Sequence, residues 1–301
     1  MLDRLLGNEP LRASLTAALQ NGRLAHSVLL CGEEGSGAGF AARCLAADHL
    51  YPQGGPGAEQ VMAGTCPECI TVRGEGASGE IRIDRIREVR RKVFDTALSA
   101  GGRAVILYDA QMLNGPSANA LLKVLEEPPA GVLFILTANS QGAVLGTIRS
   151  RCAAYTLAPV PLQECAAWVR QNCPAAAGQA EFLSTVYDGH IGLCLQAAQD
   201  PARAQLLETA GQLAKAAAQR DEYTLLCLLA AFEKDKPGAL TLLRDLSCLA
   251  AASLRHPGFC PLSPTQAGRA VLRADEAAAA LAANGSAKLV LTNLAIRLAR
   301  L

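Results

Sequence analysis

Aromatic residues make up only 4% of the 301 positions, and there is a single Trp. The interior must therefore be built from Leu, Ala and Val, a composition that favours helices. Charge of one sign is missing too: 28 Lys and Arg stand against 27 Asp and Glu, a formal net charge of +1. That balance excludes a global electrostatic drive toward nucleic acid or membrane, so any DNA contact must come from a local patch or from a complex. No uncharged apolar run reaches about 18 residues, so no membrane-spanning helix is expected. The opening MLDRLLGNEP has no long apolar core and does not read as a signal peptide. Cysteine, by contrast, is plentiful. Eleven of them, in a chain expected to be cytosolic, read as reduced, buried small hydrophobes rather than disulfides.

A more telling absence is local. Cys31–Phe40 reads CGEEGSGAGF. A working phosphate-binding loop has the form G-x-x-x-x-G-K-[ST], in which backbone N–H groups cradle phosphate, the Lys neutralises it and the hydroxyl holds Mg²⁺. Gly32 and Gly37 keep the glycine frame, with Gly35 between them, but Ala38 stands at the Lys position and Gly39 at the Ser/Thr position.

Around this loop the pattern is α/β. Residues 9–20 are expected as a helix with Leu11, Leu15 and Leu19 on one face, stopped at Asn21-Gly22. Ser27–Cys31 reads as the first parallel strand and Phe40–Leu50 as the helix after the loop. Residues 51–79, rich in Gly and Pro, are expected as an insertion. Ile83–Leu98 reads as an amphipathic helix, Arg103–Tyr108 and Val132–Thr137 as buried strands, and Ser117–Leu125 as a helix between them. Alternating strands and helices imply a parallel sheet covered on both faces. Beyond Pro159 only helices are expected. Boundaries are placed at 1–160, 161–203 and 204–301.

Further motifs lie at fixed distances from the loop. Val105–Ala110 (VILYDA) is a strand running into Asp109. Asn119–Pro129 reads NALLKVLEEPP, and Ser150-Arg151-Cys152 follows Leu145–Arg149. With Gly22–His26 (GRLAH), these segments resemble the AAA+ clamp-loader family of bacterial DNA polymerase III, on its delta prime branch, over about residues 5–160. The resemblance implies an AAA+ domain, a small helical lid and an all-α collar. It implies a subunit of a multi-protein loader that works in the bacterial cytoplasm with the replisome. The implied partners are the gamma/tau motor subunits and a delta subunit, with the sliding clamp and primed DNA reached through the complex and no membrane. It also implies that the chain does not hydrolyse ATP itself but offers an arginine finger, Arg151, to a neighbour's ATP, with Ser150 and Cys152 as the supporting motif.

The residues agree with a silent site. Phosphoryl transfer rests on positioning and charge stabilisation, and here the Lys and the hydroxyl are gone. By the resemblance, Asp109 remains of the second motif, but Ala110 replaces its acidic partner. Asn139 stands at a sensor position, and Leu193, in GHIGLCL, replaces a sensor Arg. No cofactor is expected. The loop is read as a tight strand-to-helix turn in preference to a nucleotide site. The alternatives are an active gamma/tau-like ATPase and a stand-alone DNA-binding module.

Cys66-Pro67-Glu68-Cys69 supplies two thiols where the family has a four-Cys zinc module. Tyr51 and Val72 stand at the other two positions, and two thiolates do not close a tetrahedral site. Two free thiols are therefore preferred over zinc. Asp84–Lys92 (DRIREVRRK) is the densest basic stretch and is read as a solvated helix face partly neutralised by Asp84 and Glu88. His26 and His190, each beside a turn, read as hydrogen-bonded structural residues. The leucine stripes Leu240, Leu243, Leu246 and Val290, Leu294, Leu298 serve a bundle core or an interface.

Overall fold

The computed structural model describes residues 1–76, 79–94 and 101–301. The chain divides into two compact units, Met1–Val160 and Pro161–Leu301.

The first unit is a five-stranded parallel sheet with helices on both faces. In chain order its elements are α1 (Glu9–Gln20), β1 (Ser27–Cys31), α2 (Ala38–Leu50), α3 (Pro56–Ala63), β2 (Cys69–Val72), α4 (Ile83–Phe94), β3 (Arg103–Leu107), α5 (Gly115–Glu126), β4 (Val132–Ala138), α6 (Gly146–Arg149) and β5 (Ala153–Thr156). The strands lie in the order β2-β3-β4-β1-β5. Cys31 pairs with Ala138 on one side and with Thr156 on the other, while Leu107 pairs with Leu136. All strands therefore point the same way, and the sheet has one rim of strand starts and one of strand ends.

Strand side chains alternate between the faces. Val28 and Leu30 of β1, Ala104 and Ile106 of β3, and Leu133 and Ile135 of β4 join the small apolar face of α2 in one core. Leu29, Val105, Leu107, Phe134 and Leu136 join Ile86, Val89, Leu121 and Val124 in the other. β1, β3 and β4 are buried along their whole length, which is why they read as unbroken apolar runs.

Two elements go beyond the sequence pattern. Residues 51–79, expected as an insertion loop or small module, contribute α3 and the edge strand β2. β5 has no counterpart in the sequence pattern; its AAYT, alternately half-buried and exposed, sits on the opposite edge. The amphipathic helix expected over 83–98 is present as α4 to Phe94, and its expected remainder, 95–98, lies outside the described residues.

The second unit is wholly helical: α7 (Leu162–Asn172), α8 (Ala180–Val186), α9 (Ile191–Gln199), α10 (Pro201–Gln219), α11 (Glu222–Ala230), α12 (Lys236–Arg255), α13 (Pro264–Ala282) and α14 (Ala287–Ala299). The starts of four of these helices are set by capping side chains. Asp200, Asp221 and Asp235 accept hydrogen bonds from the N–H groups of Ala202, Thr224 and Gly238, and Ser263 forms a reciprocal capping box with Gln266. Small residues such as Ala210, Ala250, Ala267 and Ala270 are fully buried, which lets helices pack closely.

One polar knot crosses this interior. Asp245 of α12 is 0% exposed and accepts from both terminal nitrogens of Arg203 in α10, Nη2 lying 2.5 Å from Oδ1. The Tyr187 hydroxyl, just after α8, donates to Asp245 at 3.2 Å. Burial and the adjacent carboxylate push that phenol well above its ordinary range. Leu193 is a buried core residue of α9. No helix among the described residues is long and apolar enough to cross a membrane.

Candidate functional site

The glycine loop leaves the end of β1 and turns into α2. Gly35 and Gly37 have φ of +84° and +93°, a region open to Gly at little cost. Gly32 is needed for space: a Cβ there would meet the Ser36 Oγ at 2.3 Å. Ser36 is buried, so the loop closes on its own side chain. The N–H of Gly32 is spent on Ala138 O of β4 at 3.0 Å, which ties the loop to the strand that leads to the exposed Asn139.

What faces the loop from β3 differs from the sequence expectation. Asp109 is exposed and left-handed (φ +57°), its N–H donating to Thr137 Oγ1 at 3.2 Å. Tyr108, one residue earlier, is the group that meets the loop. A Cβ on Gly39 would lie 3.2 Å from Tyr108 Cε1. In phosphate-binding sites of this kind the loop hydroxyl and the strand's carboxylate share one Mg²⁺. Here the two facing positions are Gly39 and Tyr108, and neither has an oxygen suited to a dication. Arg73, directly after β2, completes the arrangement, its guanidinium carbon 3.6 Å from the Tyr108 ring centroid. Tyr108 is buried, which pushes its phenol up, while Arg43 and Arg73 pull it down. Neither Arg73 nor the orientation of Tyr108 was legible in the motif.

Ser150-Arg151-Cys152 lies at the other rim. It follows α6 and leads into β5, whose first residue, Ala153, pairs with Val28 near the start of β1. The glycine loop leaves from the far end of β1. A strand rises about 3.3 Å per residue, so roughly 15 Å of sheet separates the two. Arg151 donates to Thr147 O at 2.9 Å and pairs with Glu126, at the end of α5, at 2.5 Å. Its side chain remains 36% exposed. Ser150 Oγ donates to Thr147 O at 3.1 Å and holds the same turn. Cys152 packs against the sheet core, and burial pushes its thiol up to about 11. His26 sits at this rim, its Nε2 3.0 Å from Leu125 O, and His190 Nδ1 lies 2.7 Å from Tyr187 O.

Cys66 and Cys69 come from the turn into β2. The Tyr51 hydroxyl lies 3.6 Å from Cys66 Sγ. Burial, with Cys66 nearby, pushes the Cys69 thiol up to about 12. Val72 is buried in β2. No group of three or more His, Cys, Asp and Glu placed to hold a metal ion occurs among the described residues, so the residues present do not fit a structural zinc site. Glu68, between the two thiols, instead makes a buried ion pair with Arg103 at 2.9 Å. On α4, Arg85 pairs with Glu75 and Glu88, Arg87 with Asp84 and Lys92 with Glu88. Among the described residues Arg90 and Arg91 make no ion pair.

Comparison with known proteins settles the family. Residues 7–161, more than half of the chain, match the family model described as DNA polymerase III, delta subunit. The chain belongs to the DNA polymerase III clamp-loader family. Within that family it lies close to the delta prime and gamma/tau branch of AAA+ proteins. It is 35% identical over 166 residues to the Escherichia coli K12 DNA polymerase III subunit delta', covering 52% of this chain and 50% of that protein. It is 32% identical over 180 residues to the gamma/tau subunit of Mycobacterium tuberculosis H37Rv, covering 56% and 30%. The chain thus spans about half the length, or less, of these curated relatives. Among solved structures, a gamma subunit-related protein from Thermotoga maritima superposes with a TM-score of 0.54 at 18% identity, over 95% of this chain and 98% of that one. That likeness supports the clamp-loader fold alone.

Proposed function

We propose that this clamp-loader chain does not hydrolyse ATP itself and instead lends Arg151 to the ATP site of an adjacent subunit. The observation that carries the reading is the placement of the two half-sites. The glycine loop and Arg151 stand on opposite rims of one sheet, so the guanidinium cannot reach the chain's own loop, which supports a role toward another molecule. At the loop, Ala38 and Gly39 supply neither charge nor hydroxyl, and the Tyr108–Arg73 stack fills the space beside Gly39. At the other rim a permanently charged planar donor is offered on a short fixed turn, the form a finger takes when it acts in trans.

The partners in this reading are gamma/tau-type motor subunits and a delta subunit, with the clamp and primed DNA engaged through the assembly in the cytoplasm. Residues 161–203 and 204–301 act as lid and collar. No bound cofactor is required.

Reconstitution with gamma/tau-type motor subunits, a delta subunit, clamp and primed DNA tests the reading. A trans arginine is worth about 10³–10⁵ in turnover at the site it serves. Arg151→Ala is expected to assemble normally by gel filtration yet lose that site's share of the stimulated ATP turnover. Arg151→Lys recovers little, because a point charge lacks the planar fork. Intact assembly with undiminished turnover in Arg151→Ala would sink the proposal. Turnover by the purified chain with Mg-ATP alone would instead favour a gamma-like ATPase.

A further inference from the structure

The second unit carries a concentration of like charge that its own packing does not explain. Arg269 and Arg273 lie one turn apart on α13, and Arg297 and Arg300 lie at the end of α14. Together with Leu301 they line a recess of about 230 Å³. A second recess, of about 110 Å³, adjoins it and shares Arg273 and Arg297. Besides its charged residues and Asn293, its lining is apolar: Ala277, Ala280, Val290 and Leu294. Among the described residues Glu276 is the one side-chain carboxylate lining either recess, and it is already bridged between Arg273 and Arg297 at 3.0 and 2.8 Å. Arg269 and Arg300 make no ion pair among the described residues, and Arg300 is exposed. Like charges at such helical spacings destabilise a helix. The negative end of α14 offsets part of that repulsion, as does the main-chain carboxylate of Leu301, but four guanidiniums against these and Glu276 still leave a net positive mouth beside an apolar lining.

The geometry points to a docking groove between α13 and α14 for an acidic segment of a partner protein that also carries an aliphatic anchor. Charge complementarity selects the carboxylates, since arginine forks pair with them bidentately. The apolar lining selects a protein over a nucleic acid. A phosphate backbone has no use for Ala280, Val290 and Leu294, and neither recess is lined by an aromatic ring on which a base could stack. Leu272, within about a turn of Arg269 and Glu276 on α13, is 62% exposed. The two recesses together are large enough for one or two side chains, so the contact is a short motif rather than a whole domain. The inference concerns a different surface from the ATP-site proposal and stands or falls apart from it.

Fluorescence anisotropy with a labelled hexapeptide, Glu-Glu-Leu-Leu-Glu-Glu, tests this on the full chain. The controls are the peptide with Gln for every Glu, the peptide with Ser for both Leu, and a labelled oligothymidylate. Arg269→Ala with Arg300→Ala removes the two unpaired cations and is expected to leave the melting temperature unchanged or slightly raised. The wild-type chain is expected to bind the hexapeptide saturably and the two control peptides more weakly. The double variant should weaken hexapeptide binding by about tenfold or more, as loss of unpaired interface charge does. Absence of saturable hexapeptide binding, equal binding by the double variant, or displacement of the hexapeptide by stoichiometric oligothymidylate would each overturn the inference.

Discussion

Restoring the two missing loop residues should fail to restore the site. Ala38→Lys with Gly39→Thr rebuilds the phosphate-loop sequence on paper. In the fold, a Cβ introduced at position 39 lies 3.2 Å from Tyr108 Cε1, closer than ordinary van der Waals contact, and the branched side chain adds two more heavy atoms. Tyr108 is 4% exposed and covered by Arg73, so its ring has little room to yield. Overpacking of this kind costs about 1–3 kcal/mol, while replacing a helical Gly returns a few tenths. At about 2–4 °C per kcal/mol for a unit of this size, the double variant should melt about 2–10 °C lower. It should also show no Mg-ATP turnover, because the position facing residue 39 still offers a ring and no carboxylate. Adding Tyr108→Asp removes the obstruction and supplies an oxygen. The triple variant is therefore expected to bind Mg-nucleotide more tightly than the double variant by calorimetry. Equal nucleotide affinity in the two, with Tyr108 intact in one, would refute the claim that this ring closes the site.

Two further outcomes follow from buried polar groups. Asp245→Ala strands the Arg203 guanidinium in the interior of the second unit and is expected to cost about 3–5 kcal/mol, read by urea unfolding. Asp245→Leu paired with Arg203→Met should recover most of that loss. His49 is partly buried, and desolvation, offset only in part by a hydrogen bond to the Gly131 backbone, lowers its pKa below the ordinary 6.5. The folded state therefore disfavours the proton that the unfolded chain takes up, so His49 costs no stability above pH 6.5 and increasingly destabilises the fold as pH falls below it. A His49→Gln variant should show a flatter stability profile between about pH 7 and 5 in chemical denaturation; an unchanged slope would remove His49 as the cause.

How much of this was readable beforehand depended on burial. β1, β3 and β4 are enclosed on both faces, so their runs SVLLC, RAVIL and VLFILTA had to be apolar and stood out. β2 and β5 are the sheet edges and are only partly buried. CITV and AAYT meet weaker demands and look like loop. The glycine frame was legible because it needs fixed residues at fixed spacing. The facing residue was not. Asp109 follows an apolar strand just as a metal-holding Asp would, but alternation along β3 puts Tyr108 on the α2 face with Ala104 and Ile106, and the exposed Asp109 turns away in a left-handed conformation. Arg73 came from a segment read as insertion, so nothing in the pattern could bring it to that ring. Arg151 was singled out by its neighbours in sequence, but its tie to Glu126 needed the fold. That pair is half-exposed and worth about 0–1 kcal/mol, so it does not fix the guanidinium in place.

Tyr187, Arg203 and Asp245 also bear on motion within the second unit. They fasten the end of α8 and the first turn of α10 to the middle of α12 in a dry interior. A swivel near residue 203 would have to pull a buried guanidinium off its carboxylate and leave both charges unpaired. The ends of α8 and α10 are thereby tied to α12 by a pair that is costly to part.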